Sequence, residues 1–147
     1  MKRHGALLAA AGLAGACAYV GFDRGLSPDE IVLQQEIRAY FNEMQEAFAA
    51  GNAQALASLF DPSITHPMNQ DEIEARAGAF FAANKGAHLG IDRVSFEELG
   101  MQRAVVTAAY KAEALQASSA LQGVERATLV KRRGRWYVSR WEEASKP

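Results

Sequence analysis

The stretch "IRAYFNEMQEAFAAGNAQALASLFDPSITHP", residues 37–67, carries a long amphipathic pattern, a break, a short apolar segment and a polar exit. Ile37, Tyr40, Phe41, Met44 and Phe48 recur at spacings of three and four, which places them on one face of a helix, while Arg38, Glu43 and Glu46 lie elsewhere. Gly51 ends that helix, and Asn52 is positioned to cap a second, shorter one with Leu56, Leu59 and Phe60. The second helix stops before Pro62, because the residue preceding a proline avoids helical dihedrals.

Upstream, "SPDE" marks where the first helix begins: Ser27 as cap, Pro28 at the first helical position and Glu30 three residues after the serine. Leu33 extends its apolar face. Downstream, Asn69 followed by Glu72 predicts a third helix with Ile73, Ala77, Phe80 and Phe81 on one stripe and Gly86 as its terminator.

The period then changes. Segments 90–99, 102–115, 124–131 and 135–141 read as strands, the last two joined through "RRG", with the loop "QASSALQG" before them. Ala104, Val106, Ala108, Tyr110, Ala112 and Ala114 share one parity, predicted to face the core. Helices followed by a meander of strands predict an α+β fold, N-terminal helices packed on a curved antiparallel sheet.

The 147 residues fit one domain, and 49% hydrophobic content is enough for a core. A net charge of -1 gives no global field to recruit nucleic acid. Cys17 is the single cysteine, so an internal disulfide, a cysteine zinc cluster and a redox pair are excluded. His4, His66 and His88 show no helical ligand spacing, so no metal or other cofactor is expected.

Residues 1–22 read as an export segment, with Lys2 and Arg3 before the uncharged run "GALLAAAGLAGACAYVGF". Three fates are open: lipidation at Cys17 within "LAGAC", ordinary cleavage after "AGA", or retention as an N-terminal membrane anchor. Residues 23–27 are a linker and 28–143 the domain, expected in the periplasm or cell envelope. The terminal hairpin is basic, with Lys131, Arg132, Arg133, Arg135 and Arg140 interleaved by Trp136, Tyr137 and Trp141. That composition suits a solvated hairpin tip, or contact with lipid or a partner protein. Strict alternation would leave Trp141 on the face opposite Trp136, where a sheet-on-sheet homodimer would cover it.

The segment 37–67, with its long helix, short helix and acidic-aromatic exit, together with the terminal "LVKRRGRWYVSRWEE", resembles the nuclear transport factor two-like superfamily. That superfamily is the cystatin-like α+β cone that also contains ketosteroid isomerases and polyketide cyclases, and the resemblance spans residues 28–143. It implies a cone whose wall receives a polar residue after the second helix, which maps onto His66. The expected pocket lining is Phe60, His66, Phe81, Tyr110 and Trp136, suited to a small apolar ligand.

The expected function is a non-catalytic binding or assembly module. One alternative is a cyclase- or isomerase-like enzyme with His66 as general base, and another is a protein-interaction scaffold of a membrane-anchored complex. Isomerases of this fold need a carboxylate and a hydrogen-bond donor in an apolar cavity, and the parity argument finds no such pair. It sets Glu113 and Glu125 at odd positions near strand ends, and Glu142 and Glu143 in a solvated tandem. Asp61 is read as closing the "DPSI" turn.

Overall fold

A computed structural model describes residues 25–115 and 121–144. The expected export segment 1–22, with Cys17, lies outside the described residues, as does most of the loop before the third strand. The chain divides into two units, Met1–Val32 and Leu33–Pro147. In the described part of the first, Ser27 and Glu30 form the predicted capping box: each backbone N–H donates to the other's side chain, at 2.7 and 3.2 Å. Among the described residues no helix is long and apolar enough to cross a membrane.

The helices are α1 (Pro28–Ala49), α2 (Ala53–Ala57) and α3 (Gln70–Ala83). Gly51 takes a φ of 63°, the left-handed conformation that lets the chain leave α1. Asn52 caps α2 by accepting from the Ala55 N–H, and Asn69 with Glu72 closes a full capping box on α3. The second helix is shorter than predicted because its last carbonyls are drawn into a turn that leads Leu59 and Phe60 onto the sheet.

Four antiparallel strands follow in simple order: β1 (His88–Leu99), β2 (Arg103–Glu113), β3 (Leu121–Arg132) and β4 (Arg135–Glu143). The predicted α+β architecture of helices on an antiparallel sheet is what the chain adopts. Ile37, Tyr40, Phe41, Leu59 and Ile73 from the helical half meet Ala104, Val106, Leu129, Trp136 and Val138 of the sheet in one core.

Three bulges interrupt the ladders. In β1 the register against β2 shifts between Asp92 and Ser95 and again between Phe96 and Glu98. In β4 it shifts where Thr128 faces Arg140 but Leu129 faces Val138, which leaves Ser139 as the extra residue. Each bulge reverses the side-chain alternation, so Trp136, Val138 and Trp141 all point to the helix-covered face. This corrects the expectation that strict alternation would leave Trp141 for a second copy of the chain. Its ring instead packs on Phe60, with ring centroids 5.0 Å apart.

The exit from α2 is fastened to β4. Phe60 forms a parallel bridge with Val138, the Asp61 N–H donates to the Val138 carbonyl at 2.8 Å, and the Val138 N–H donates to the Leu59 carbonyl. The buried Tyr40 hydroxyl donates to the Leu59 carbonyl and accepts from the Val138 N–H at 3.2 Å. Asp61, only 2% exposed, accepts from Ser63 and, at 2.8 Å, from Arg132 Nε, tying the predicted "DPSI" turn to the β3–β4 hairpin.

Tyr40→Phe removes the hydroxyl that joins α1, the α2 exit and β4 while keeping the ring. It is expected to cost about 1–3 kcal/mol, the range for leaving buried polar groups without a partner. Denaturant unfolding reads this as a lower midpoint at unchanged slope, and an unchanged midpoint contradicts it.

Candidate functional site

The core does not fill the space between α1 and the sheet. A cavity of about 340 Å³ remains, walled by Phe41, Met44 and Phe48 of α1, Leu56 and Phe60 around α2, and side chains from all four strands. The strand contribution is Leu89 and Ile91, Ala108 and Tyr110, Glu125 and Ala127, then Val138 and Trp141. Almost every wall is apolar, and Tyr110 and Glu125 supply the titratable groups.

The register brings these two together. Ala108 pairs with Glu125 and Tyr110 with Gly123, so Tyr110, Glu125 and Ala127 share the inner face. Gly123 makes room for the phenol: a Cβ there would lie 3.0 Å from Tyr110 Cε1 and 3.2 Å from its hydroxyl oxygen. A side chain at this position would require the ring to shift by a few tenths of an ångström.

Glu125 is the unusual group. Its Oε2 is buried and accepts no hydrogen bond among the described residues, whereas the carboxylates held in ion pairs face the solvent or the hairpin. Burial pushes its carboxyl above the ordinary glutamate value, and Glu143, its partner across β3 and β4, pushes the same way. Burial also raises the Tyr110 hydroxyl, with Glu125 and Glu143 adding to the effect. The neighbouring bases are engaged elsewhere: Arg126 binds Glu97 at 2.7 Å and Glu142 at 3.3 Å, and Lys111 binds Glu113 at 2.6 Å.

Of the expected lining, Phe60 and Tyr110 reach this cavity and three residues do not. His66 is exposed, in the bend before Pro67, because the Asp61 and Ser63 contacts close the turn before the chain reaches it. Phe81 is buried at the α1–α3 contact, its ring 5.0 Å from that of Phe48, on the rim of a separate hollow around Gly51 and Gly86. Trp136 is 5% exposed and turned toward α1, where its indole N–H donates to Glu36 Oε2 at 2.9 Å. Lys131 Nζ donates to the same oxygen at 2.8 Å. These two bonds hold the Glu36 carboxyl below its usual value despite some burial.

The residue that sequence reasoning passed over is Glu125. Its odd number was judged by the parity of β2, yet the inner parity of β3 is set by its own buried pair, Ala127 and Leu129. The signal was present in "VERATLV", since Glu125 lies two residues before Ala127. A carboxylate and a phenol therefore do occur together in an apolar cavity, contrary to the expectation that no such pair exists. Among the described residues no group of His, Cys, Asp and Glu could hold a metal ion.

No family model matches the chain, and no curated protein matches it in sequence. Solved structures do match in shape. A scytalone dehydratase-like protein of Novosphingobium aromaticivorans superposes with a TM-score of 0.66 at 14% identity, over 80% of this chain and 91% of that one. A domain of unknown function with a cystatin-like fold from Nostoc punctiforme gives 0.63 at 17% identity, over 83% and 80%. An NTF-2-like protein of unknown function from Shewanella oneidensis gives 0.62 at 16% identity, over 74% and 95%.

The fold is NTF2-like. At these identities the likeness extends to the fold alone.

The raised Glu125 carboxyl has a consequence for stability. The folded NTF2-like domain holds this proton more tightly than the unfolded chain, so its contribution is intact below the ordinary glutamate value and lost as pH rises through the raised one. Glu125→Gln is neutral throughout and escapes that loss. Its stability relative to the parent is expected to rise with pH across this window and then level off. Urea unfolding at steps between about pH 4 and pH 8 measures it, and a difference that does not change with pH contradicts it.

Proposed function

We propose that the chain binds a small, mostly apolar molecule in the cavity between α1 and the sheet. One observation carries this reading: about 340 Å³ of apolar space, within the range of small-molecule sites, contains a buried carboxylate oxygen that has no partner among the described residues. A cone filled by its own side chains would suit a scaffold instead. Burying an unpaired carboxylate costs stability, and among the described residues no donor engages Glu125 Oε2.

The same pair supports a second reading. A carboxyl with a raised pKa beside a phenol can exchange a proton with a bound molecule while the phenol donates to a developing oxyanion. In an enzyme of this kind Glu125 would carry the proton and Tyr110 the charge stabilisation, the role that His66, exposed on its turn, is poorly placed to fill.

We also propose that the protein works outside the cytoplasm, in the cell envelope. The support is the basic start followed by the uncharged run of residues 5–22. Fractionation tests this, and recovery of the chain in the cytosol alone contradicts it.

Ala108→Phe tests the cavity directly, because the added ring fills it from the sheet side. A library of small apolar compounds is expected to contain members that raise the melting temperature of the parent and leave the variant unchanged. A compound present at about 100 times its dissociation constant stabilises by about 2.7 kcal/mol. Equal shifts in parent and variant contradict binding in the cavity. If a binder is also converted by the parent, loss of about 10²-fold or more of that turnover in Glu125→Gln establishes the enzymatic reading.

A further inference from the structure

The charges around the cavity are one-sided. From β3 comes Glu125, from its β4 partner position Glu143, and from β2 the phenol of Tyr110. Among the described residues no lysine or arginine lines the cavity, and α1 and α2 contribute only apolar side chains to the wall. The bases on the adjoining strands, Lys111, Arg126 and Arg140, are each paired with a glutamate other than Glu125.

The remaining walls favour the same sign of charge. Phe41, Phe48, Phe60, Tyr110 and Trp141 all border the cavity, and aromatic faces attract cations through their quadrupoles. An anionic ligand would face Glu125 across an apolar space, with a single phenol to compensate. A neutral alcohol could donate one hydrogen bond to Glu125. A protonated amine makes that bond charge-assisted and neutralises the buried carboxylate at the same time.

We infer that the ligand of this cavity is a protonated amine on a compact apolar body, its ammonium group bound by Glu125 and its body against the aromatic walls. This rests on the cavity's being a ligand site. Space is consistent with a body of one ring and a short chain, since about 340 Å³ equals the liquid volume of about eleven waters.

The test compares three probes of like size and different head group on the full chain: phenethylamine, phenylethyl alcohol and phenylacetate. Calorimetric titration near pH 8 is expected to rank the amine above the alcohol by about tenfold, with phenylacetate weakest. In Glu125→Gln the amine should fall to within about twofold of the alcohol, while the alcohol binds as before. Lys146 lies outside the described residues and is three positions from Glu143 in sequence, so Lys146→Ala is measured alongside and should keep the parent's ranking.

An alcohol that binds as tightly as the amine, a preference that survives Glu125→Gln, or amine binding that appears only in Lys146→Ala each overturns the inference while leaving the cavity a ligand site. Binding of none of the three overturns both. The ranking in the parent needs no variant to fold, so it decides by itself if Glu125→Gln does not.

Discussion

Successive side chains of a β-strand point to opposite faces, so two apolar residues three apart can share a face only where an extra residue is inserted between them. Three such intervals occur in this sheet: Ile91 to Val94, Phe96 to Leu99 and Val138 to Trp141. A bulge lies at each of them. The hydrophobic requirement to keep Val94, Phe96, Leu99 and Trp141 against the helices is thereby met at the cost of interrupting the ladder. Both bulged strands are at the edges of the sheet, where a lost ladder bond is cheapest and a twisted edge also resists pairing with other chains.

The site follows from that compromise. Because Ser139 is extra, Val138 can engage the α2 exit through its backbone while Trp141, beyond the bulge, meets Phe60 across the chamber. Without the reversal the end of β4 would present Arg140 and Glu142 to the interior, and the two would meet the apolar wall of α1. They lie instead on the outer face, where Thr107, Glu97, Arg126, Glu142 and Arg140 link all four strands by hydrogen bonds and ion pairs. Charge is thus satisfied on one side of the sheet, while on the other Glu125 Oε2 has no partner among the described residues and faces the like charge of Glu143. An aliphatic residue at position 125 would pack there without a desolvation cost.

The helical half was legible in the sequence because its signals are local. The capping residues Ser27, Asn52 and Asn69 and the terminators Gly51 and Gly86 act within a few residues, and the structure uses Asn52 and Asn69 as read. The sheet was legible as strands but not as faces, since face assignment depends on parity and parity is reset by every bulge and every loop. Trp141 was misassigned by the bulge at Ser139, although the spacing Trp136, Val138, Trp141 announces it. Glu125 was misassigned by carrying the parity of β2 across a loop whose length does not fix that of β3. His66 was assigned to the wall by resemblance, and Asp61 decides otherwise through bonds to Ser63 and to the distant Arg132, a contact across 71 positions that no local pattern reveals.

The bulge at Ser139 turns Trp141 inward, onto Phe60 at the wall of the apolar cavity that holds Glu125. Nuclear Overhauser contacts of the Trp141 indole test it most directly, in a sample labelled so that the rings of Trp141 and Trp136 are resolved from each other. Cross-peaks are expected from the Trp141 ring to the Phe60 ring, whose centroid lies 5.0 Å away, and to the methyl group of Ala127, its partner on β3. Cross-peaks to Thr107 and Arg126 on the outer face, with none to Phe60, would contradict it.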